Sequence, residues 1–491
     1  MAQEEALAFD DVLMVPSYSQ IVPSEASVHT RFSRHIALRM PLVSAAMDTV
    51  TESAMAIAMA QSGGLGVIHK NMSIESQAKE VRLVKKHESG IIVNPVTIYP
   101  DQKLREALQL KERHNISGIP VVDRKKGRLV GIVTNRDMRF ADDSTVLVQD
   151  VMTKDNLVTA TKPIDSREAT RLLHRHRIEK LLVVDESYCC VGLITVKDIE
   201  KASAYPDASK DDHGRLRVAA AVGVLGDVRA RAEALVDAGV DALVIDSAHG
   251  HSRYVRDALK DLRKRYDLDI VVGNIVTASA ARDLIEAGAD GIKLGIGPGS
   301  ICTTRIMAGV GLPQLTAIFE VAPSCRERGV PLIADGGIRS SGDVAKALAA
   351  GADSIMAGSL FAGTRESPGE IFLHQGRHYK VYRGMGSMAA MKKGGGERYF
   401  QGEGRKEGTL QGKWVPEGVE GQVPFRGDIK HVLYQMVGGL KSSMGYLGAG
   451  DLEALRTQVR FRRISKAALQ EGHVHDVTII REAPNYPSSS S

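Results

Sequence analysis

One stretch of the chain, Gly295-Ile296-Gly297-Pro298-Gly299-Ser300-Ile301-Cys302-Thr303-Thr304-Arg305, sets a thiol among glycines and hydroxyls. A cysteine attacks as its thiolate, which nearby cations or helix N–H groups favour, and it does so only where substrate can reach it. Two further segments have the chemistry of phosphate binding: Asp335-Gly336-Gly337 and Gly358-Ser359. Glycines there let backbone N–H groups approach phosphate oxygens, and a helix start behind them adds a favourable dipole. Asp335 supplies a carboxylate suited to a ribose diol. By local chemistry alone Gly336 and Gly337 suit a tight turn equally well, and Cys302 a small buried position. The outcome depends on the elements that hold these segments.

Eight short apolar runs recur along the chain: PLVSAAM (41–47), GLGVIH (64–69), RVAAAVG (217–223), ALVIDS (242–247), DIVVGN (269–274), GIKLGI (291–296), PLIADGG (331–337) and SIMAGS (354–359). Hydrophobicity that is continuous rather than alternating is the pattern of strands buried on both faces. Helical patterns such as VRARAEALVDAG and TASAARDLIEAG lie between most of them. DAGVDALVIDS, EAGADGIKLGI and AAGADSIMAGS form a near-repeat, in which a helix stops at glycine and a strand follows an Asp. The fold class expected is α/β, a (β/α)8 barrel. An open doubly wound sheet has less support, since no G-x-G-x-x-G opens a βαβ unit. Function in such a barrel lies at the C-terminal ends of the strands. That rule gathers Ser44, Met47, Asp246, Asn274, the 295–305 loop, Asp335–Gly337 and Gly358–Ser359 on one rim, where Cys302 reads as a nucleophile. Lys293, on the sixth strand, points to the same end and could contact a bound base.

Composition narrows the class further. With 491 residues the chain exceeds one ordinary core, and its 43% hydrophobic and 25% charged residues are those of a globular protein. A net charge of +5 is small, and the basic clusters at 174–177 and 460–463 lack interleaved aromatics, so no specific nucleic-acid partner is expected. Apolar runs such as 218–224 are too short to cross a bilayer, and MAQEEALAFDD has no apolar signal core. A cytoplasmic protein without a membrane partner is expected. Cys189, Cys190, Cys302 and Cys325 form no C-x-x-C, which suggests neither a disulfide framework nor zinc.

The regular march breaks between the second and third strands. HNISGIPVVD (114–123) with GRLVGIVTNRD (127–137) matches HRIEKLLVVD (176–185) with YCCVGLITVKD (188–198). This unit resembles a tandem pair of CBS domains, 93–150 and 151–202, a family that binds adenine or guanine nucleotides between its two copies. The resemblance implies regulation by ATP or GTP, with Thr134, Asp137, Thr195 and Asp198 at phosphate and ribose. Capping of the following helix is the local alternative for Asp137 and Asp198.

The cysteine loop, together with FDDVLMVP (9–16), PLVSAAMDTVTE (41–52), LIADGGIRSSGD (332–343), YRGMGSM (382–388), ERYF (397–400) and PEGVEG (416–421), resembles the inosine-5′-monophosphate (IMP) dehydrogenase family over essentially the whole chain. The resemblance makes 1–92 and 203–491 the catalytic barrel. It implies oxidation of IMP to xanthosine monophosphate (XMP) with NAD+, the committed step of guanine nucleotide synthesis. Cys302 would attack C2 of the hypoxanthine ring, and the resulting thioimidate would be hydrolysed after closure of a flap at about 388–421. Arg398, paired with Tyr399, would be the base for water, and Thr304 would help orient it. IMP contacts are implied at Ser300, Asp335, Gly336, Gly337, Gly358, Ser359, Tyr382, Arg383, Gly384, Met385, Gly386 and Glu417. NAD+ contacts are implied at Asp246, Asn274, Gly295, Ile296 and Gly297. A potassium ion would take carbonyls of Gly297, Gly299 and Cys302, with Glu471, Gly472 and His473 from a neighbouring subunit, in a homotetramer or an octamer.

The flap is also legible without the resemblance, because 392–412 is rich in glycine, poor in apolar residues and without periodicity. Trp414 stands before VPEG where the family more often has an aliphatic residue. GMP reductase is the nearest rival: it shares the barrel and cysteine loop, uses NADPH, and usually lacks the CBS pair and the Arg-Tyr flap. A nucleotide sensor with a relict barrel is a third reading, against which Cys302, Thr304, Arg398 and Tyr399 weigh.

Overall fold

The computed structural model describes residues 5–87, 92–93, 95–114, 116–139, 146–161, 164, 166–401 and 414–486. Two compact units divide the chain: Met1–Lys85, Asp207–Ser209 and Leu216–Ser491 form the first, Lys86–Pro206 and Lys210–Arg215 the second.

The first unit is built on a closed barrel of eight parallel strands. They are β1 (Leu42–Ser44), β2 (Leu65–Ile68), β3 (Ala219–Val222), β4 (Ala242–Asp246), β5 (Asp269–Ile275), β6 (Gly291–Leu294), β7 (Leu332–Asp335) and β8 (Ser354–Ala357). Seven fall within the apolar runs of the sequence, and β5 extends one residue past its run, to Ile275. Closure is made by β8 on β1, with Met356 opposite Val43, and β2 on β3, with Val67 opposite Ala219. Eight of the unit's helices are α1 (Ser53–Gln61), α2 (Ile74–His87), α3 (Val228–Asp237), α4 (Arg253–Arg265), α5 (Ala278–Glu286), α6 (Gln314–Glu327), α7 (Ser341–Ala349) and α8 (Ile429–Leu447).

Burial on both strand faces explains the missing alternation. Ala219, Ala221, Ala242, Val244 and Ile333 fill the barrel interior, while Ala220, Val222, Leu243, Ile245 and Leu332 face the helices. Each buried Val, Leu or Ile contributes about 1.5–3 kcal/mol over an exposed one. A hairpin, Thr30–Arg31 paired with Ala37–Leu38, adds Phe32, Ile36 and Leu38 to the interior core.

The near-repeat has a structural cause beyond the turn. Gly239, Gly288 and Gly351 follow α3, α5 and α7 with φ of 88°, 105° and 123°, a region that Cβ-bearing residues avoid. The Asp two residues after each glycine then fastens the neighbouring strand. Asp241 accepts the N–H of Val218 at 2.8 Å, Asp290 that of Ile270 at 3.0 Å, and Asp353 that of Leu332 at 2.8 Å. After β8 a three-stranded sheet, Ile371–His374, Arg377–Arg383 and Glu420–Pro424, carries the chain towards and away from the flap.

The second unit repeats one motif. Helix Leu104–His114 with strands Gly118–Val122 and Leu129–Thr134 corresponds to helix Ser166–His176 with strands Lys180–Val184 and Cys190–Thr195. Both strand pairs are antiparallel, and both shift register at the equivalent place, Val121/Val122 and Val183/Val184. Asp137 caps: its Oδ2 accepts the backbone N–H of Thr134 at 2.7 Å and the Thr134 hydroxyl at 2.8 Å. The side chain of Asp198 lies outside the described residues.

Candidate active site

The barrel brings the chemistry-bearing segments to one pocket at the C-terminal rim. Asp246 ends β4, Asn274 lies on β5, Lys293 on β6, and Asp335 ends β7. Lys293 is the hub. Its side chain is 2% exposed, and its Nζ donates to Asp246 Oδ1 and Asp335 Oδ2 at 2.8 Å each and to Asn274 Oδ1. Asn274 Nδ2 donates to Asp335 Oδ2 at 3.0 Å and to the Gly295 carbonyl at 2.6 Å. A buried cation between two carboxylates is tolerable because every lone pair aimed at it is answered. The ammonium expected to reach a base is therefore engaged by its own strand neighbours.

Cys302 sits in the loop after β6, half-buried, with Sγ 3.2 Å from the Thr304 hydroxyl. Its N–H donates to Gly299 O at 3.1 Å, turning the loop back on itself. The C-terminal part of the flap zips onto this loop: Thr303 N–H donates to Glu417 O and Val419 N–H to Ile301 O, both at 3.0 Å. The other cysteines are unsuited to attack or lie elsewhere. Burial pushes the Cys325 thiol up to about 12 and that of Cys190 to about 11, while Cys189 is in the second unit.

The flap turn Gly395–Tyr399 lies over the pocket. Arg398 forms an ion pair with Asp246 Oδ2, and its carbonyl accepts the N–H of Ala248 at 3.0 Å. Burial lowers the pKa of the Arg398 guanidinium, against the opposing pull of Tyr399, and burial raises that of the Tyr399 hydroxyl. A Cβ on Gly386 would lie 2.7 Å from Tyr399 Cζ, so the missing side chain makes room for that ring. Phe400 packs on Tyr254 of α4 at 5.9 Å between centroids. Trp414 lies against Gly396, and the Gln401 amide pairs with the backbone of Val415 at 2.9 and 3.0 Å, joining the two described sides of the flap. Residues 402–413, the middle of the expected flap, lie outside the described residues.

The pocket is lined by Cys302, Asp335, Gly336, Gly358, Tyr382, Gly384, Met385, Glu417, Arg398 and Tyr399, and by Asp246, Asn274, Gly295, Gly297 and Gly299. Ser300, Gly337 and Ser359 line an adjacent recess with Arg305, Gln314 and Arg339. Burial raises the pKa of the Tyr382 hydroxyl, which a hydrogen bond to Ser300 opposes. Gly358 precedes the short helix Ser359–Ala362. Of the residues expected at IMP, NAD+ or the water, four line neither the pocket nor the recess. Arg383 turns its guanidinium onto Asp48, at 2.5 Å, leaving only its backbone in the tract. The Ile296 carbonyl accepts Arg305 Nε at 3.0 Å. Gly386 houses the Tyr399 ring, and Thr304 is buried beside the thiol. Glu471, Gly472 and His473 close a separate helix, Lys466–Glu471. Beyond the Lys293 hub, the Arg383–Asp48 pair and a contact of Glu397 with Lys70 were missed; nothing local to these residues signals a partner so far away in sequence.

A parallel eight-stranded barrel with a half-buried thiol, a carboxylate–lysine network and an arginine on a covering turn at its C-terminal rim defines a barrel enzyme. The family model described as "IMP dehydrogenase / GMP reductase domain" matches residues 6–475, and the chain belongs to that family. It is 53% identical to the inosine-5′-monophosphate dehydrogenase of Bacillus subtilis, over 99% of each chain. It is 55% identical to that of Helicobacter pylori, over 98% of this chain and 99% of the relative. A crystal structure of a GMP reductase from Trypanosoma brucei in complex with guanosine 5′-monophosphate superposes with a TM-score of 0.84 at 40% identity, covering 97% of this chain and 99% of that one. That coverage corrects one inference from sequence: a GMP reductase spans nearly all of this chain, so the inserted unit does not discriminate between the two activities.

Proposed function

We propose that the protein oxidises IMP to XMP with NAD+ and water, releasing NADH and a proton. The observation that carries this reading is the single pocket that joins Cys302, Asp335 and the flap arginine. Cys302 Sγ bonds to C2 of the hypoxanthine ring, and the C2 hydrogen leaves with its electron pair. Bound NAD+ supplies the acceptor for that hydride. Water then adds to C2, the carbon–sulfur bond breaks, and XMP leaves. The proton lost by water passes to Arg398, whose burial makes a neutral guanidine less costly than it would be in solvent. Thr304, 3.2 Å from the thiol, is placed to orient that water. Asp335 would take the ribose hydroxyls, with the phosphate held by Ser300, Gly337, Ser359 and the 382–386 backbone, and Glu417 at the base.

Asp246, Asn274 and the Gly295–Gly297 backbone would hold NAD+. Asp246 has one oxygen on Lys293 and the other on Arg398, so cofactor and closed flap compete for one carboxylate. That competition suits a reaction that needs first a dry site and then water. Potassium would bind main-chain carbonyls of Gly297, Gly299 and Cys302 with Glu471, Gly472 and His473 of a neighbouring subunit, hard oxygen donors of the kind such a cation requires. We place the CBS pair at 93–150 and 151–202, binding ATP or GTP as regulator. The assembly proposed is a homotetramer or octamer in the cytoplasm. No described helix is long and apolar enough to cross a membrane.

The T. brucei structure keeps GMP reductase as the second reading. One assay separates them: NADH formation from IMP and NAD+ with potassium present, against NADPH consumption with GMP. Turnover in the first alone is expected; turnover in the second alone would replace the proposal.

A further inference from the structure

We propose that Lys70 and Glu397 are the latch that holds the flap closed, and that they set the balance between cofactor binding and hydrolysis; this rests on the dehydrogenase reading above. Glu397 precedes Arg398 in the flap turn, yet its carboxylate is fixed to the barrel. One oxygen accepts the N–H of Val224 at 2.9 Å and of Leu225 at 3.0 Å, and the other meets the Lys70 ammonium. Lys70 follows β2, Val224 and Leu225 follow β3, so two neighbouring strand ends grip one flap side chain. The Lys70 side chain is only 9% exposed, which leaves its charge little solvent and makes the flap carboxylate its natural counter-ion.

The rim is shaped for this carboxylate. A Cβ built on Gly223 would stand 2.0 Å from Glu397 Oε1, and its three nearest atoms all belong to the Glu397 carboxylate. The notch therefore exists because residue 223 has no side chain. None of Lys70, Gly223 and Glu397 lines the pocket around Cys302, so they act through Arg398, one residue along the flap, and are positioning residues. Releasing the latch frees Asp246 from Arg398, which favours the cofactor and withdraws the base from water.

The test is stopped-flow NADH formation with IMP and NAD+, run beside steady-state turnover, on wild type, Lys70→Ala, Glu397→Gln, Gly223→Ala and Lys70→Arg. Gly223→Ala fills the notch without touching a charge. In the first three variants the NADH burst keeps its rate, kcat falls about tenfold, as expected for one charge-assisted hydrogen bond, and KM for NAD+ falls. Lys70→Arg restores kcat. A merely structural role would lower burst and kcat together, and that result overturns the latch, as does unchanged kcat in all variants. A wild type that makes no NADH sinks the dehydrogenase reading and the latch with it; a bursting wild type beside variants of normal kcat sinks the latch alone.

Discussion

Lys293 carries two buried carboxylates and an amide, and its loss is the most costly single change predicted at the site. Lys293→Met keeps the volume but leaves Asp335 without a counter-charge and Asp246 with Arg398 alone, which should cost about 3–5 kcal/mol. Urea unfolding checks this; a cost below about 1 kcal/mol would mean that the carboxylates find other partners. The thiols give a second prediction. Because burial raises Cys325 and Cys190 well above the ordinary range, iodoacetamide at neutral pH should modify Cys302 before either, and IMP should protect it. Peptide mapping that finds Cys325 modified first would contradict the assignment. Cys302 was legible because glycines, hydroxyls and a strand end surround it in sequence. The Lys293 hub was not, since its partners come from three other strands and meet only when the barrel closes. Glu397 was visible only as the first residue of ERYF (397–400); its notch is made by Gly223, 174 positions away by subtraction of the two residue numbers.

At the scale of elements, the end of the barrel where β5 begins has its own titration. His35, in the turn of the Thr30–Leu38 hairpin, donates its backbone N–H to Asp269 Oδ2 at 3.0 Å, and its ring Nδ1 lies 2.6 Å from Asp269 Oδ1. Asp269 raises the imidazole pKa, with lesser support from Asp290 and opposition from Arg34. A folded pKa above the unfolded value means that this contribution is complete below the unfolded value, about 6.5. It is lost as pH rises through the folded value. The stability difference between wild type and His35→Asn should therefore shrink as pH rises from about 6 to about 9; a difference that grows over that range refutes the pairing. Helix stops and strands were readable from the Ala-Gly-x-Asp near-repeat, because glycine at a left-handed position and an apolar run are local facts. What the repeat's Asp does was not readable, since each one fastens the strand before its own helix, and that pairing is tertiary.

For the whole molecule, the barrel was legible because burial on both strand faces writes long apolar runs into the sequence. The internal repeat at 114–198 was legible by direct comparison, and the equivalent bulges at Val122 and Val184 show that the likeness extends to backbone geometry. The meaning of the inserted unit was over-read, because a GMP reductase matches nearly the full chain. Activity must therefore be decided at the pocket and its flap, and the covalent intermediate is where the proposed steps meet. Arg398→Gln enzyme mixed with IMP and NAD+, quenched in acid and examined by mass spectrometry, tests this most directly. The account predicts a burst of NADH and the Cys302 peptide carrying the nucleotide. NADH formed with the Cys302 peptide unmodified, or the nucleotide found on another residue, would contradict it.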